Sequence, residues 1–542
     1  MELFNALTNG ASHGVLHEWN GDAFDHTPWR EVVADAHGMA AGLRALGVGP
    51  GTRVACILTN SPGTVRGLLA VWLAGGAVAS LPLPTRGQSG EAYGEQLVAL
   101  AARLDPALLL VDDWLAALVP RALADNLPVR GWPEPRGTGA RCVPSPPGPD
   151  DLAFVQYSSG STSTPKGCAL TTRAIERQLE IILGMTGGRP GADTVASWLP
   201  LSHDMGMFGC LLYSWAYDFD LVLSSPERFG MTPRTWFRDM SEYGATMTAG
   251  TSTALHLAAR AHGRGSLPRE LRLRAAVIGA ERVDWGTLAA ATERFRPFGL
   301  SETAFQPAYG MAEATLAVTG KPWAEAPRAL ALDGSALVEG RAVEVAPDHP
   351  KATRLVSNGP AQPGVSVRAG TGGSVAEIEV TSPSLARGYY ADPERTAARF
   401  AGGRLRTGDL GFVRDGELYV LGRSDDMLSV GGRKVYASEI ESAVDSLRSI
   451  RKGCAAVVDA GGSGGSRLVL MVEPQGNPRD YRPIAEEAAT LAMEKSGVAL
   501  AECLFLPRGV LPKTPSGKIQ RFRCRALLDG NQLAPVARVA FA

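Results

Sequence analysis

The sequence predicts an α/β protein: a large unit of layered sheets and helices, followed by a small α+β unit. Three observations carry this. Helix-period and strand-period segments alternate from residue 29 to residue 84. Short extended segments that end in Gly and a polar residue recur at 194–212, 275–283 and 306–320. After residue 425 a new strand, helix, strand pattern begins. A chain of 542 residues exceeds one core, so at least two domains are expected.

In order, residues 29–46 are an amphipathic helix, VACIL at 54–58 is a strand, a helix runs through Leu73, and AVASLPL is a strand again. Alternation of this kind builds parallel sheets covered by helices. The apolar run 67–81 is broken by Gly75 and Gly76 and closed by Pro82, which makes it a buried helix and strand rather than a membrane span. Residues 108–111 continue the pattern, and Pro and Gly crowd 133–149 as a linker. An apolar strand at 152–155 then empties into YSSGSTSTPKG at 157–167. Its six hydroxyls, two Gly and Lys166 offer backbone N–H groups, side-chain donors and a cation to an anion. It is not a Walker A loop, since Gly160 is followed by Pro165, Lys166 and Gly167 rather than by Gly, Lys and a hydroxyl. A Ser/Thr-rich surface turn is the plain alternative.

Further along, His203 and Asp204 end an apolar run, with Gly206 and Gly209 opening the next helix. Polar groups at strand ends face the ligand crevice of open α/β sheets. AAVIGAERV (275–283) and QPAYGMAEATLAVTG (306–320) repeat the layout, with Glu281 and Glu313 expected at helix starts. Taken singly, these are a capping His and solvated carboxylates. Residues 321–370 show weak periodicity and are expected to be irregular or inserted. Residues 375–382 alternate as a strand, and Asp415 with Gly416 marks a hairpin. Beyond a polar boundary at 422–426 come a strand and helix (434–447), two strands around a Gly-rich loop (461–465) expected to be mobile, a helix (483–496) and a strand near Leu504. The tail 511–525 gathers Lys513, Lys518, Arg521, Arg523 and Arg525 around a Gly turn.

Charge narrows the function. Lys and Arg total 54 against 55 Asp and Glu, so a generic nucleic-acid surface is disfavoured and any anion site must be local. The seven cysteines are scattered without C-x-x-C spacing, which disfavours a disulfide framework or a structural zinc site and suits reduced thiols in the cytoplasm. The first residues lack a basic stretch followed by an apolar one, so no secretory signal is expected.

In combination the motifs resemble the adenylate-forming superfamily of acyl-CoA synthetases, nonribosomal peptide adenylation domains and luciferases, over nearly the whole chain. YSSGSTSTPKG is similar to that family's phosphate loop, YGMAE to its adenine and magnesium segment, TGD to its ribose-binding Asp, GRSDD to its hinge and PKTPSGK to its catalytic-lysine loop. WLPLSHDMGMFG, IGAERV, AYGMAEATLAVTG, the 321–370 segment and RKGCAAVV look most like the fatty acyl-AMP ligases. Those enzymes carry an insertion after the adenine segment and hand acyl-adenylates to a carrier protein instead of coenzyme A.

The resemblance implies a large adenylation domain (1–422), a hinge (423–425) and a small mobile lid domain (426–542). It implies that a carboxylate and ATP give acyl-AMP and pyrophosphate, and that a pantetheine thiol of coenzyme A or a carrier protein then displaces AMP. Carried over, Ser158, Ser159, Gly160, Ser161, Thr162, Ser163 and Lys166 hold the β- and γ-phosphates, and Glu313 binds Mg²⁺. Tyr309, within Tyr309, Gly310, Met311 and Ala312, stacks on adenine beside Gly279, Ala280 and Glu281. Asp409 and Arg423 hold the ribose, and Lys518 bridges carboxylate and α-phosphate. His203 lies between adenylate and acyl pocket, Asp425 is the hinge, and Gly432 lies where the thiol arm passes.

Two departures bear on this. The family's phosphate loop usually has Gly where this chain has Ser163, and a side chain there costs of order 1 kcal/mol if φ must be positive. GRSDDMLSVGGRKVYASEIE looks more like the acyl-CoA synthetases. Two alternatives therefore stand beside full acyl activation: a ligase impaired in adenylation that mainly thioesterifies preformed acyl-AMP, and an idle adenylate-binding protein.

Overall fold

The computed structural model describes residues 1–9, 12–84, 88–135, 143–157, 165–262, 268–430, 433–461, 467–514 and 517–541. Two mostly parallel sheets form its bulk. The larger has eight strands, in the order Ala317–Gly320, Phe305–Gly310, Ala275–Ile278, Met247–Gly250, Thr194–Ser197, Asp220–Leu223, Val15–Trp19, Phe24–Pro28. The other has six: Val129–Arg130, Leu108–Leu110, Arg53–Ile57, Ala77–Leu81, Leu152–Tyr157, Gly167–Thr171. Antiparallel strands occur only at their edges.

Helix Pro62–Ala74 explains how the two sheets are joined. Ser61 caps it, Gly75 ends it in the left-handed region, and every residue from Thr64 to Ala74 is buried, as expected of a helix with apolar neighbours on all sides. Trp72 Nε1 donates to Ala153 O at 2.8 Å in the smaller sheet. Just before this helix, Asn60 Nδ2 donates to Leu199 O (3.0 Å) and Ser224 O (2.7 Å), both in loops of the larger sheet. Asn60 Oδ1 accepts from Leu201 N at 3.0 Å. One amide thus ties the carboxyl ends of both sheets together. Arg66, on the same helix, holds the buried Glu18 at 2.9 Å and Asp35 at 3.0 Å.

The segment 321–370 is more regular than its sequence suggests. Ala329–Asp333 pairs antiparallel with Ala352–Val356, and Asp333 caps the short helix Gly334–Val338. The strand escaped notice because its alternating positions are Ala and Leu, so polarity does not alternate. A five-stranded sheet follows, in which Asp415 and Gly416, both with positive φ, close the expected hairpin.

The last unit is a four-stranded sheet, Ile450–Asp459, Leu468–Pro474, Glu502–Phe505 and Ala537–Ala540. Helices Ala437–Val444 and Arg482–Ser496 cover one face, and helix Arg521–Asp529 with Leu511 covers the other. Near the expected hinge (423–425), strand Glu417–Arg423 passes into a 3₁₀ turn, Ser424–Asp426. Of the Gly-rich loop at 461–465, residues 462–465 lie outside the described residues.

Two carboxyls of this unit are buried with an oxygen unpaired, Glu439 Oε2 and Asp445 Oδ1. Burial pushes both up to about 7, against the pull of Arg282 and Lys452 respectively. The folded form therefore binds more protons than the unfolded one between their ordinary range and about 7. Stability is fully present at the acid end of that window and is lost as pH rises through about 7. The unfolding free energy, read from urea midpoints, is expected to fall by about 1.4 kcal/mol per pH unit for each group. The double variant Glu439→Gln, Asp445→Asn should flatten that slope.

Candidate active site

A cavity of about 720 Å³ opens where the carboxyl ends of the parallel strands meet the last unit. Tyr157, Lys166, His203, Gly279, Ala280, Glu281, Tyr309, Gly310, Met311, Ala312, Glu313, Asp409, Arg423 and Lys518 all line it. Segments from six separate stretches of sequence therefore share one space. Ser158, Ser159, Gly160, Ser161, Thr162, Ser163 and Gly432 lie outside the described residues, as does the side chain of Asp425.

Each lining segment is fixed by local chemistry. Strand Phe305–Gly310 carries Tyr309 to the cavity, and at Gly310 a Cβ would come within 1.9 Å of Leu316 O, so only Gly permits the return strand to close. Tyr309 hydroxyl donates to Asp409 Oδ2 at 2.6 Å, and Arg423 Nη1 stands 3.7 Å from Asp409 Oδ1. Burial pushes the Asp409 carboxyl up, and Arg423 opposes it. Burial, then the Asp409 charge, also raises the Tyr309 phenol, so this hydroxyl stays a proton donor.

Glu313 was expected at a helix start. It sits instead in one 3₁₀ turn, Ala312–Ala314, because Thr315 takes φ +66° and the chain turns back into strand Ala317–Gly320. Its Oε1 accepts from Tyr389 hydroxyl at 2.8 Å. The Lys166 ammonium lies over the same Tyr389 ring, 5.6 Å from its centre. Burial lowers the Lys166 ammonium, and Glu313 partly restores it. Among the described residues no group of three or more His, Cys, Asp or Glu could hold a metal. A single carboxylate beside a lysine fits Mg²⁺ bound with phosphates, since that ion takes most of its ligands from phosphates and water.

Glu281 likewise precedes its helix rather than opening it, since Asp284 is the cap of Trp285–Phe295. It is held by Thr253 N–H at 2.5 Å, after Ala280 at φ +66°, a backbone conformation that costs about 1–2 kcal/mol. Burial raises the Glu281 carboxyl against that bond and the Lys518 charge. His203 caps a short helix that runs into a π-helical turn, Met207–Leu212, an uncommon geometry that recurs at functional sites. Its Nδ1 lies 2.7 Å from Asp204 Oδ1. Burial pushes the Asp204 carboxyl up, but His203, Lys518 and the Met205 N–H outweigh it and leave it low.

Lys518 reaches the cavity from a turn closed by Thr514 and Lys518: Thr514 N donates to Lys518 O at 2.8 Å, and Lys518 N to Thr514 Oγ1 at 3.0 Å. Arg521, just after it, binds Glu441 through Nε at 2.8 Å and Asp426 through Nη1 at 2.5 Å. Lys452 Nζ stands 3.5 Å from Asp284 Oδ2, joining the last unit to the cavity wall. Sequence reasoning did not single out Tyr389, Thr253 or Lys452. Tyr389 is separated from Glu313 by 76 residues and belongs to no periodic segment, so only the fold brings the two together.

A family model described as AMP-binding enzyme matches residues 16–390. A putative acyl-CoA synthetase of Caulobacter vibrioides is 31% identical over 530 residues, covering 94% of this chain and 91% of that protein. A medium-chain-fatty-acid–[acyl-carrier-protein] ligase, JamA, of Moorena producens is 34% identical over 408 residues, covering 70% of this chain and 68% of its own. A solved structure from a study of fatty acyl-adenylate ligases of E. coli and L. pneumophila superposes with a TM-score of 0.89 at 28% identity, covering 98% of each chain.

The buried acceptor shared by Tyr309 and Arg423 can be tested directly. Asp409→Ala removes it, and is expected to cost about 1–3 kcal/mol of stability, read as a lower urea midpoint. Asp409→Asn keeps an oxygen acceptor and should recover most of the loss.

Proposed function

The chain belongs to the AMP-binding enzyme family, and from that premise we propose that it is an acyl-activating ligase. A carboxylate attacks the α-phosphorus of ATP, giving acyl-AMP and pyrophosphate; a pantetheine thiol then attacks the acyl carbon, giving a thioester, AMP and a proton. The observation that carries this reading is the single cavity lined by Lys166, His203, Tyr309, Glu313, Asp409 and Lys518. The unpaired, buried cysteines suit a cytoplasmic setting, and among the described residues no helix is long and apolar enough to cross a membrane.

Negative charge gathers on the attacking carboxylate, the α-phosphate and the leaving pyrophosphate, so the chain must offer fixed positive groups in a water-poor place. Lys518 bridges the carboxylate and α-phosphate, and Lys166, with the hydroxyls of 158–164, takes the β- and γ-phosphates. Mg²⁺ held by Glu313 supplies further charge neutralisation when bound. Asp409, with Arg423 beside it, accepts from the ribose hydroxyls. Tyr309 stacks on adenine next to Gly279, Ala280 and Glu281. His203, oriented by Asp204, stands at the mouth of the acyl pocket.

Small-domain rotation about Asp425, between units 1–422 and 426–542, would withdraw Lys518 after the first step and admit the thiol arm past Gly432. The acceptor is coenzyme A or a carrier protein. That Glu313 and Lys518 line one cavity favours complete adenylation over a chain that only thioesterifies.

Pyrophosphate exchange with ATP, Mg²⁺ and a panel of aliphatic and aryl acids is expected in the native protein. Lys518→Ala should lower exchange by about 10²- to 10³-fold while leaving thioester formation from supplied acyl-AMP largely intact. Equal loss of both steps would contradict the role given to Lys518.

A further inference from the structure

Away from Lys518 the cavity continues between helix Thr172–Thr186 and the larger sheet, walled by Ile182, Met185, Val195, Met247 and Val277. Small residues at Gly209, Ala249, Ala308 and Ala317 leave the channel open. Its far end lies at the start of strand Ala275–Ile278, where Ala275, Thr186 and Tyr213 line it. Behind them sits Arg274, whose Nη1 donates to Thr186 O at 2.8 Å. From Gly279 back to Ala275 the chain is extended, so the channel is ~13 Å deep at ~3.3 Å per residue.

The chemistry of that far end follows from counting protons. Thr186 hydroxyl donates to Ile182 O at 2.9 Å, so in its 2.7 Å contact with Tyr213 hydroxyl the proton comes from Tyr213. Both hydroxyl protons are used within the wall. Thr248 is satisfied as well, donating to Ala196 O at 2.6 Å and accepting from Trp236 Nε1 at 2.8 Å. Arg274 spends Nε and Nη2 on Asp193 and points Nη2 also to Met247 Sδ at 3.5 Å. The wall therefore presents neither a donor nor a spare cation to the end of an acyl chain. Tyr213 is also hard to displace: it is 2% exposed and packs edge-on against Phe219 and Tyr217 at 5.0 and 5.5 Å.

We propose that this pocket selects unsubstituted aliphatic monocarboxylic acids, and that Tyr213 and Thr186 set the chain length by closing its far end. An alkyl chain built from 1.52 Å bonds advances ~1.3 Å per carbon, so the channel takes roughly ten carbons. A second carboxylate at the far end is refused, since it would be buried without a donor or counter-ion.

The inference rests on the acyl-adenylate reading of the same cavity, and two measurements keep them apart. Binding of unreactive acyl-sulfamoyl-adenosine analogues with six to sixteen carbons, by calorimetry, reads the pocket alone. Pyrophosphate exchange with the matching acids reads adenylation. Affinity is expected to rise about fourfold per added carbon up to roughly ten. The sixteen-carbon analogue should bind at least about tenfold more weakly than the best one. Decanedioic acid should give no exchange where decanoic acid does.

Tyr213→Ala should move the optimum to longer chains. Ala275→Met, which fills the same end, should move it to shorter ones and covers the case in which Tyr213→Ala does not fold. The inference is overturned if the sixteen-carbon analogue binds as tightly as the ten-carbon one, if decanedioic acid serves as well as decanoic acid, or if the folded variants leave the optimum in place. A length optimum in binding without any exchange would leave the pocket assignment standing and remove the adenylation reading.

Discussion

The site depends on one constraint: the last unit of the chain must lie against the mouth of the cavity, because Lys518 comes from it and the remaining groups do not. Two described polar contacts help to hold it there: Lys452 meets Asp284 at 3.5 Å, and Lys495 donates to Ala352 O at 3.4 Å. At Gly453 a Cβ would come 2.9 Å from Thr253, so this strand lies against the helix that also holds Glu281. Such long, partly exposed polar contacts contribute little each, whereas Tyr436 of the last unit packs into a buried apolar cluster with Leu332, Leu355 and Phe412. By contrast, the Lys518 turn is fixed within its own unit by Arg521 bridging Glu441 and Asp426. The lysine and its support therefore form one piece.

A chain with a net charge of −1 has no general field with which to gather a polyanion, so charge must be arranged within the cavity. Eight carboxylates line it, which at first sight opposes the proposed phosphate binding. Each has its own donor or cation: Asp204 has the Met205 N–H, Glu281 the Thr253 N–H, Asp284 Lys452, Glu313 Tyr389, Asp409 Tyr309, Asp426 and Glu441 share Arg521, and Asp445 has the Gly453 N–H. Their charge is absorbed locally, which leaves Lys166 and Lys518 to act on what enters. Burial raises Asp409 and Glu281, so both are further disposed to accept protons or hydrogen bonds from a ligand rather than to repel it.

Much of this was legible in the sequence, and the limits have physical causes. Segments 29–46, 54–58 and 77–81 formed the expected elements because burial on defined faces leaves a period in the residues. Many of the described motif residues share one cavity because they stand at strand ends, as Tyr157, Gly279 and Tyr309 do, whereas Asp409 lies within strand Arg404–Arg414 and Lys518 in a turn. Glu281 and Glu313 were misplaced relative to helices, since a turn with positive φ at Ala280 or Thr315 has no sequence mark unless it is Gly. Tyr389 and Thr253 were invisible because their roles are relations between distant segments. The end of the acyl channel belongs to the same class: Thr186, Tyr213 and Ala275 form an end only after helix and sheet pack.

The Ser163 departure looks different once the surroundings of the loop are fixed. Lys166 and Gly167 follow the hydroxyl run, and Gly167 opens the edge strand Gly167–Thr171, where a Cβ would come 2.8 Å from Val155 and 3.0 Å from Tyr157. The loop's exit is thus pinned by the sheet. Lys166 lies over Tyr389, Tyr389 is held by its own N–H to Thr396 Oγ1 at 2.9 Å, and its hydroxyl fixes Glu313. Lys166 and Glu313 are therefore set in relation to each other by the buried Tyr389 ring. In the proposed function, the charges of the first step therefore rest on a placement of Lys166 and Glu313 that Tyr389 sets.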